Sequence, residues 1–192
     1  MAHIWHNQEW NALAYLPDNA RALITHRGSL TQALQDRYGE HEVKVSLEGC
    51  DVVRSSAEIN TLLDITDKEI TKRVVLICIG AKPYVYAETV MPTWAADELA
   101  WLAELEDQPL GHYLFSDDSI KRSEFEYSLY DLSQLNVDMI FDHDITLWAR
   151  RSLFELDGAS GQTVPLLVTE VFMHHVAPSI VSKSFFGVEH HC

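Results

Sequence analysis

The pattern of apolar and polar positions divides the chain into a helical first part and a strand-rich remainder. Residues 17–24 and 29–38 predict two helices, and the second begins at Ser29 with Gln32 in the capping-box position. Over residues 43–47 apolar and polar side chains alternate with a period of two, which predicts a half-buried strand. The helical part is therefore expected to end where this period begins.

Longer apolar runs predict strands joined by tight turns. Residues 73–79 and 84–90 flank a Gly-Ala-Lys-Pro turn signal and predict one hairpin. Residues 146–156 and 165–173 flank a glycine-containing loop and predict a second hairpin, and residues 122–129 predict a further strand. Strands that follow one another through turns indicate an antiparallel sheet.

The remaining segments predict a helix, a turn and a tail. Residues 93–105 carry leucines at helical spacing, and Pro109-Leu110-Gly111 is expected to end that helix in a turn with free backbone N–H groups. Residues 54–71 are polar and predict a connection. We therefore expect an α+β fold with one domain over residues 1–177, followed by a loosely attached tail over 178–192.

Composition and charge exclude several classes of partner. The chain has 192 residues and a formal net charge of -15, so nucleic acid and anionic membranes are not expected as partners. No apolar run approaches the roughly 20 residues that cross a bilayer, and no secretory signal is visible. Three cysteines without metal-type spacing favour a reduced, cytoplasmic setting. A monomer is expected.

Two charged residues in apolar strands are candidates for chemistry. Arg73 opens an apolar run, where its planar fork of donors would suit a carboxylate; the alternative is an exposed charge at a strand end. Glu170 has apolar neighbours on both sides, and such a carboxyl is costly to bury unless it is paired or protonated. Desolvation would raise its pKa and suit a general acid; the alternative is an edge-strand glutamate facing water.

The adjacent arginines and the histidines leave other options open. Arg150 and Arg151 are neighbours on a strand and must point to opposite faces, so at most one can face an internal pocket. The chain has ten histidines, but the pairs at 174–175 and 190–191 lack the spacing of metal ligands. We therefore expect neither a metal nor an organic cofactor.

Six blocks of sequence together resemble the bacterial chorismate lyase family. Each block is short, but they stand in the family's order and close to its spacing, and they cover most of residues 20–173. The blocks are residues 23–34 (LITHRGSLTQAL), 73–92 (RVVLICIGAKPYVYAETVMP), 109–115 (PLGHYLF), 122–126 (RSEFE), 147–152 (LWARRS) and 165–172 (PLLVTEVF).

This resemblance implies a fold and a set of site residues. The family fold is a mainly antiparallel sheet of about six strands, with helices that cover an internal ligand cavity. Arg73 resembles the residue that grips the ring carboxylate, and Glu170 resembles the one that bonds the para oxygen. Leu110 and Leu30 resemble positions whose backbone contacts the ligand. Glu88 departs from the pattern, because some members carry an arginine there near the pocket entrance.

The resemblance also implies an activity: elimination of pyruvate from chorismate to give 4-hydroxybenzoate, the first step toward the ubiquinone ring. Glu170 and Arg73 would be catalytic, and Arg150 or Arg151 would assist the second carboxylate of the substrate. A non-catalytic sensor of aromatic carboxylates is the alternative, because regulatory effector domains share this fold; an acidic scaffold protein is another. The negative charge and the lack of a recognisable DNA-binding segment disfavour a DNA-binding regulator.

Overall fold

The computed structural model describes residues 4–102, 104–105, 108–117, 119–131, 145–173 and 180–181. Eight strands and five short α-helices lie within these residues. The strands are β1 (Val43–Arg54), β2 (Glu69–Ile79), β3 (Lys82–Pro92), β4 (Lys121–Arg122), β5 (Glu126–Asp131), β6 (Ile145–Asp157), β7 (Thr163–Phe172) and β8 (Ile180–Val181). The helices are α1 (Asp18–Ile24), α2 (Leu30–Tyr38), α3 (Ala57–Leu63), α4 (Ala95–Glu98) and α5 (Leu110–Leu114). Single 3₁₀ turns occupy Asn11–Tyr15, Glu40–Glu42 and Ala100–Leu102.

All the strands belong to one antiparallel sheet. Its order is β1-β2-β3-β7-β6-β4, and β5 and β8 also pair with β6. The predicted hairpins are confirmed as β2–β3 and β6–β7. The α+β class with an antiparallel sheet is therefore confirmed, and the strands that exceed the expected six include β4 and β8, which have two residues each.

Helix α2 forms where the capping signal predicts it. The Ser29 side chain accepts a hydrogen bond from the backbone N–H of Gln32 at 3.3 Å, which satisfies one of the free donors of the first turn. The helix ends at Gly39, whose φ of +100° is open to glycine because it has no Cβ. Local hydrogen bonding thus fixes both ends of α2.

The continuous helix predicted over residues 93–105 is wrong. The segment instead forms α4 and a 3₁₀ turn, separated by Leu99 with φ −122° and ψ 82°. Ala95, Leu99 and Leu105 are all buried in one apolar cluster, and Trp101 stacks on Tyr113 at 4.6 Å. Packing of these side chains onto the sheet therefore outweighs the local preference for helix.

Three further segments differ from the prediction. Residues 54–71 contain α3, which Ser56 caps by accepting from the N–H of Ile59 at 3.2 Å. The predicted strand over 122–129 is split into β4 and β5, and Phe125 is buried between them. Pro109 precedes the first turn of α5 instead of closing a helix, because proline is tolerated where no intrahelical N–H bond is needed.

The two faces of the sheet carry different cores. One face holds two apolar clusters: the first packs α1 and α2 against residues such as Val85 and Trp148, and the second packs α4 and α5 against Phe154 and Leu166. The opposite face is covered in part by α3, whose Leu63 packs with Leu167 of β7. The gap between the two clusters on the first face is where polar side chains gather.

The far C-terminal segment is described only at residues 180–181. Their short strand β8 pairs with residues 145–146 at the end of β6. The boundary of the domain at residue 177 and the loose tail stay predictions. Among the residues described, no helix is long and apolar enough to cross a membrane.

Candidate active site

A cavity lies between the two apolar clusters, with the sheet as its floor and the first turns of α2 and α5 above it. It holds about 580 Å³ of atom-free space, part of it open to solvent. Its lining residues are Gly28, Ser29, Leu30, Thr31, Val45, Arg73, Val75, Ile77, Ala87, Thr89, Pro109, Leu110, Gly111, Leu114, Phe115, Arg122, Arg150, Phe154, Val168 and Glu170.

The cavity brings together the four site residues that the sequence singled out. Arg73 and Glu170 reach it from β2 and β7, on the face that alternation assigns to both. Leu30 and Leu110 are the first residues of α2 and α5. The N–H of a first helical residue has no acceptor inside its own helix, so it is available to another group. The roles of these residues stay predictions.

Arg73 joins the sheet to the segment before α5. The residue is 5% exposed, and Nη2 donates to the carbonyl oxygen of Gln108 at 3.1 Å. Thr89 lies directly beside it on β3 and is also buried. A buried guanidinium at one end of the cavity is suited to binding a carboxylate.

Glu170 forms an ion pair with Arg150. The Nε of Arg150 donates to Oε2 of Glu170 at 2.5 Å, and the two residues are direct neighbours across β6 and β7. The Arg150 side chain is 1% exposed and that of Glu170 12%. The sequence left pairing and protonation open for Glu170, and the structure supplies a partner.

Arg150, and not Arg151, faces the cavity. Nη1 of Arg150 donates to the carbonyl oxygens of Ile24 at 2.9 Å and His26 at 2.7 Å, so it also binds the C-terminal end of α1. Arg151 lies on the opposite face, where it pairs with Glu58 and Glu126 at 2.9 and 2.7 Å. The alternation of side chains along β6 separates the two arginines.

Glu88 also lies on the face opposite the cavity. Its carboxylate pairs with Lys72 at 2.6 Å and accepts a hydrogen bond from the Tyr86 hydroxyl at 3.2 Å. In β3, Ala87 and Thr89 are the residues that line the cavity. The glutamate at this position therefore does not place a negative charge inside the cavity.

Arg122 also lines the cavity, although the sequence pattern alone does not single it out. Its Nε donates to Ser152 Oγ at 2.9 Å, and its Nη1 donates to the carbonyl oxygen of Arg27 at 2.7 Å. The guanidinium carbon lies 4.0 Å from the centre of the Phe125 ring and 4.9 Å from that of Phe154. Burial, together with the positive charge of Arg150, lowers the pKa of Arg122 to about 10. The arginine at the head of the RSEFE block was the available signal.

Among the described residues, the cavity lining carries three arginines and one carboxylate. Arg73, Arg122 and Arg150 are the cations, and Glu170 is the anion. The lining therefore has a formal charge of +2 in a chain whose net charge is -15. Such a local excess of positive charge favours an anionic ligand with more than one negative group.

The part of the chain that the structure describes contains no cluster of side chains suited to binding a metal. No group of three or more His, Cys, Asp or Glu side chains there could hold an ion. The histidine pairs at 174–175 and 190–191 lie outside the described residues.

Comparison with known sequences points to one family. A profile of the chorismate lyase family matches residues 3–185. A protein of Psychromonas ingrahamii named "Probable chorismate pyruvate-lyase" is 32% identical over 161 residues, which cover 81% of this chain and 83% of that protein. A protein of the same name from Nitrosospira multiformis is 32% identical over 183 residues, which cover 90% and 94% of the two chains.

Comparison with solved structures supports the fold. The effector domain of PhnF from Mycobacterium smegmatis matches with a TM-score of 0.51 over 76% of this chain and 88% of that domain. The two sequences are only 10% identical, so this likeness concerns the arrangement of the sheet and helices alone.

Proposed function

Since the chain belongs to the chorismate lyase family, we propose that it eliminates pyruvate from chorismate and releases 4-hydroxybenzoate, as the first step toward the ubiquinone ring. The observation that carries this proposal is the cavity with a formal charge of +2 in a strongly acidic protein. Chorismate has two carboxylates, one on the ring and one on the enolpyruvyl ether, and its dianion matches that charge.

Arg73 binds the ring carboxylate in this proposal. It is buried at the β2 side of the cavity, where a two-pronged contact with a carboxylate would be shielded from water. The backbone N–H groups of Leu30 and Leu110 assist by donating hydrogen bonds from the first turns of α2 and α5. The ring is thereby fixed with its reactive edge toward β7.

Glu170 acts on the side of the ring that loses the ether. Its carboxylate accepts a hydrogen bond from the ring hydroxyl that becomes the phenol, and Arg150 fixes its orientation through the 2.5 Å contact. The elimination forms an aromatic ring, so the driving force lies in the substrate. We therefore propose that the reaction needs no metal and no organic cofactor, and that the protein contributes position and charge.

The test is direct turnover with chorismate. Purified protein is incubated with chorismate, with and without a strong chelator, and both 4-hydroxybenzoate and pyruvate are quantified. We expect equal amounts of the two products and the same rate in both samples. Chelation that abolished turnover, with recovery on adding zinc, would contradict the cofactor-free proposal.

Site variants make the test specific. Arg73→Ala should weaken binding of 4-hydroxybenzoate by about 2–5 kcal/mol, because a desolvated carboxylate loses its partner. Arg73→Lys should recover only part of this, since an ammonium lacks the planar fork. Arg54→Ala removes an exposed arginine at the end of β1 and serves as the matched control. A protein that bound 4-hydroxybenzoate but left chorismate intact would be a sensor instead.

A further inference from the structure

Arg122 has donors that the protein itself does not use. A guanidinium carries five N–H groups, and the structure shows two of them bonded, Nε–H to Ser152 and one Nη1–H to the Arg27 carbonyl. Within the described residues, the other Nη1–H and both Nη2–H groups have no acceptor, and no carboxylate lies within 4.0 Å of this side chain. The side chain nevertheless lines the cavity.

The other cavity arginines are assigned to other groups. Arg150 is held by Glu170 and by carbonyl oxygens at the end of α1, so it has a counter-charge inside the protein. Arg73 lies on β2, and the strands β3, β7 and β6 separate it from β4, which carries Arg122. In the proposed function Arg73 binds the ring carboxylate. Of the three cavity arginines, Arg122 is therefore the one available to a second carboxylate, on the β6–β4 side of Glu170.

The surroundings of Arg122 favour binding of an anion. The rings of Phe115, Phe125 and Phe154 lie 5.4, 4.0 and 4.9 Å from its guanidinium carbon and hold it in place. Burial and the neighbouring charge of Arg150 destabilise the free cation, as its lowered pKa indicates. A carboxylate bound to this half-buried guanidinium would relieve that repulsion, and the pair would be screened less than one on the open surface.

We propose that Arg122 binds the carboxylate of the enolpyruvyl group and thereby distinguishes chorismate from 4-hydroxybenzoate. This inference rests on the proposed function. In the reaction the ring C–O bond breaks, and its electron pair goes to the enolpyruvate oxygen. The adjacent ring carbon loses a proton to the carboxylate of Glu170, and enolpyruvate takes up a proton to become pyruvate. Arg122 holds the leaving fragment by the one group that the ring product lacks.

The experiment compares a ligand with two carboxylates and a ligand with one. The first is 3-(1-carboxyvinyloxy)benzoate, which carries the enolpyruvyl ether on an already aromatic ring and so cannot undergo the elimination; the second is 4-hydroxybenzoate. In Arg122→Gln we expect calorimetric affinity for the dicarboxylate to fall by about 30- to 300-fold, because a half-buried charge pair is lost. Affinity for 4-hydroxybenzoate should change by less than about threefold. The kcat/KM for chorismate should fall by about the same factor as the affinity for the dicarboxylate.

Controls separate binding from structural support. Arg27→Gln removes an exposed arginine whose side chain pairs with Glu124 and whose backbone carbonyl accepts from Arg122, so both affinities should stay unchanged. The ratio of the two affinities in one preparation does not depend on the folded fraction. In Arg122→Lys the affinity for the dicarboxylate relative to that for 4-hydroxybenzoate should fall less than in the glutamine variant, because the charge is kept.

Two results would overturn the inference: an equal loss of affinity for both ligands in Arg122→Gln, or no loss for either. The first would make Arg122 a structural support of the cavity, and the second would place the enolpyruvyl carboxylate elsewhere. Failure of the proposed function looks different, because the wild-type protein would then leave chorismate intact whatever the variants bind.

Discussion

Arg150 and Glu170 show how a single pair of side chains defines the centre of the cavity. Arg150 is buried and Glu170 is largely buried, and each partner supplies the counter-charge that the other needs away from water. Arg150 also binds carbonyl oxygens at the end of α1, so the carboxylate of Glu170 is held relative to a helix as well as to the sheet. Its orientation is therefore fixed before a ligand arrives.

At the residue scale, Glu170→Gln should affect turnover more than binding. The amide keeps the shape of the side chain but cannot take up a proton, so kcat for chorismate should fall on the order of a hundredfold or more. Affinity for 4-hydroxybenzoate should fall much less, because the group is used mainly in the transition state. Steady-state kinetics and calorimetry on the same preparation measure both quantities.

The matched control for this substitution is Glu126→Gln. Glu126 also pairs with an arginine of β6, at 2.7 Å, but the pair lies on the opposite face of the sheet. Turnover of this variant should equal that of the wild type. If Glu170→Gln bound product poorly yet turned over normally at saturation, Glu170 would be a contact to the ground state only.

The sequence alone identifies those site residues whose immediate neighbours along the strand are informative. Arg73 and Glu170 stand out because their neighbours along the strand are apolar, and the period of two assigns them a face. The sequence does not identify Arg122, because the groups that bind it, Ser152 and the carbonyl of Arg27, are distant in the chain. The choice between Arg150 and Arg151 likewise depends on which face of β6 is covered, which only the assembled sheet decides.

The helices α2 and α5 meet above the cavity. Gly111, in the first turn of α5, lies against Ser29, the capping residue of α2. A Cβ at position 111 would lie 2.8 Å from Ser29 Oγ, which is closer than Cβ atoms approach other groups in folded proteins. A side chain at position 111 would therefore displace the Ser29 hydroxyl from the position in which it caps α2.

The element-scale prediction is that Gly111→Ala lowers the free energy of unfolding by about 1–3 kcal/mol through overpacking against Ser29. In a Ser29→Gly background the hydroxyl is absent, and the same substitution should become neutral or stabilise by up to about 1 kcal/mol, as alanine does in a helix. Denaturant unfolding of the four proteins gives the coupling energy. An equal penalty in both backgrounds would contradict the contact.

Elements that depend on neighbouring residues were predicted better than those that depend on packing. The cap at Ser29 lies three residues from its donor, and α2 was predicted correctly. The segment over 93–105 has helical spacing, but it bends at Leu99 so that its apolar side chains can pack on the sheet. The sequence of this segment does not predict the bend, because the bend depends on the shape of a surface that distant strands form.

Charge is distributed unevenly over the whole molecule. The chain carries 29 acidic and 14 basic residues, yet the cavity lining, within the described residues, has three arginines against one glutamate. A dianionic substrate is thus repelled at long range and attracted at short range. The two effects differ in their response to salt, because exposed charges are screened far more than buried ones.

The whole-molecule prediction is that kcat/KM for chorismate rises with ionic strength, by about two- to fivefold between 20 and 200 mM salt, because screening removes the repulsion from the net charge of -15. The affinity of 4-hydroxybenzoate, a monoanion, should show a weaker rise. Potassium chloride and potassium acetate at equal ionic strength should give the same curve if screening is the cause; a difference between them would indicate competition for the cavity arginines. A kcat/KM that fell steadily with both salts would mean that the cavity charges, and not the net charge, govern the approach of the substrate.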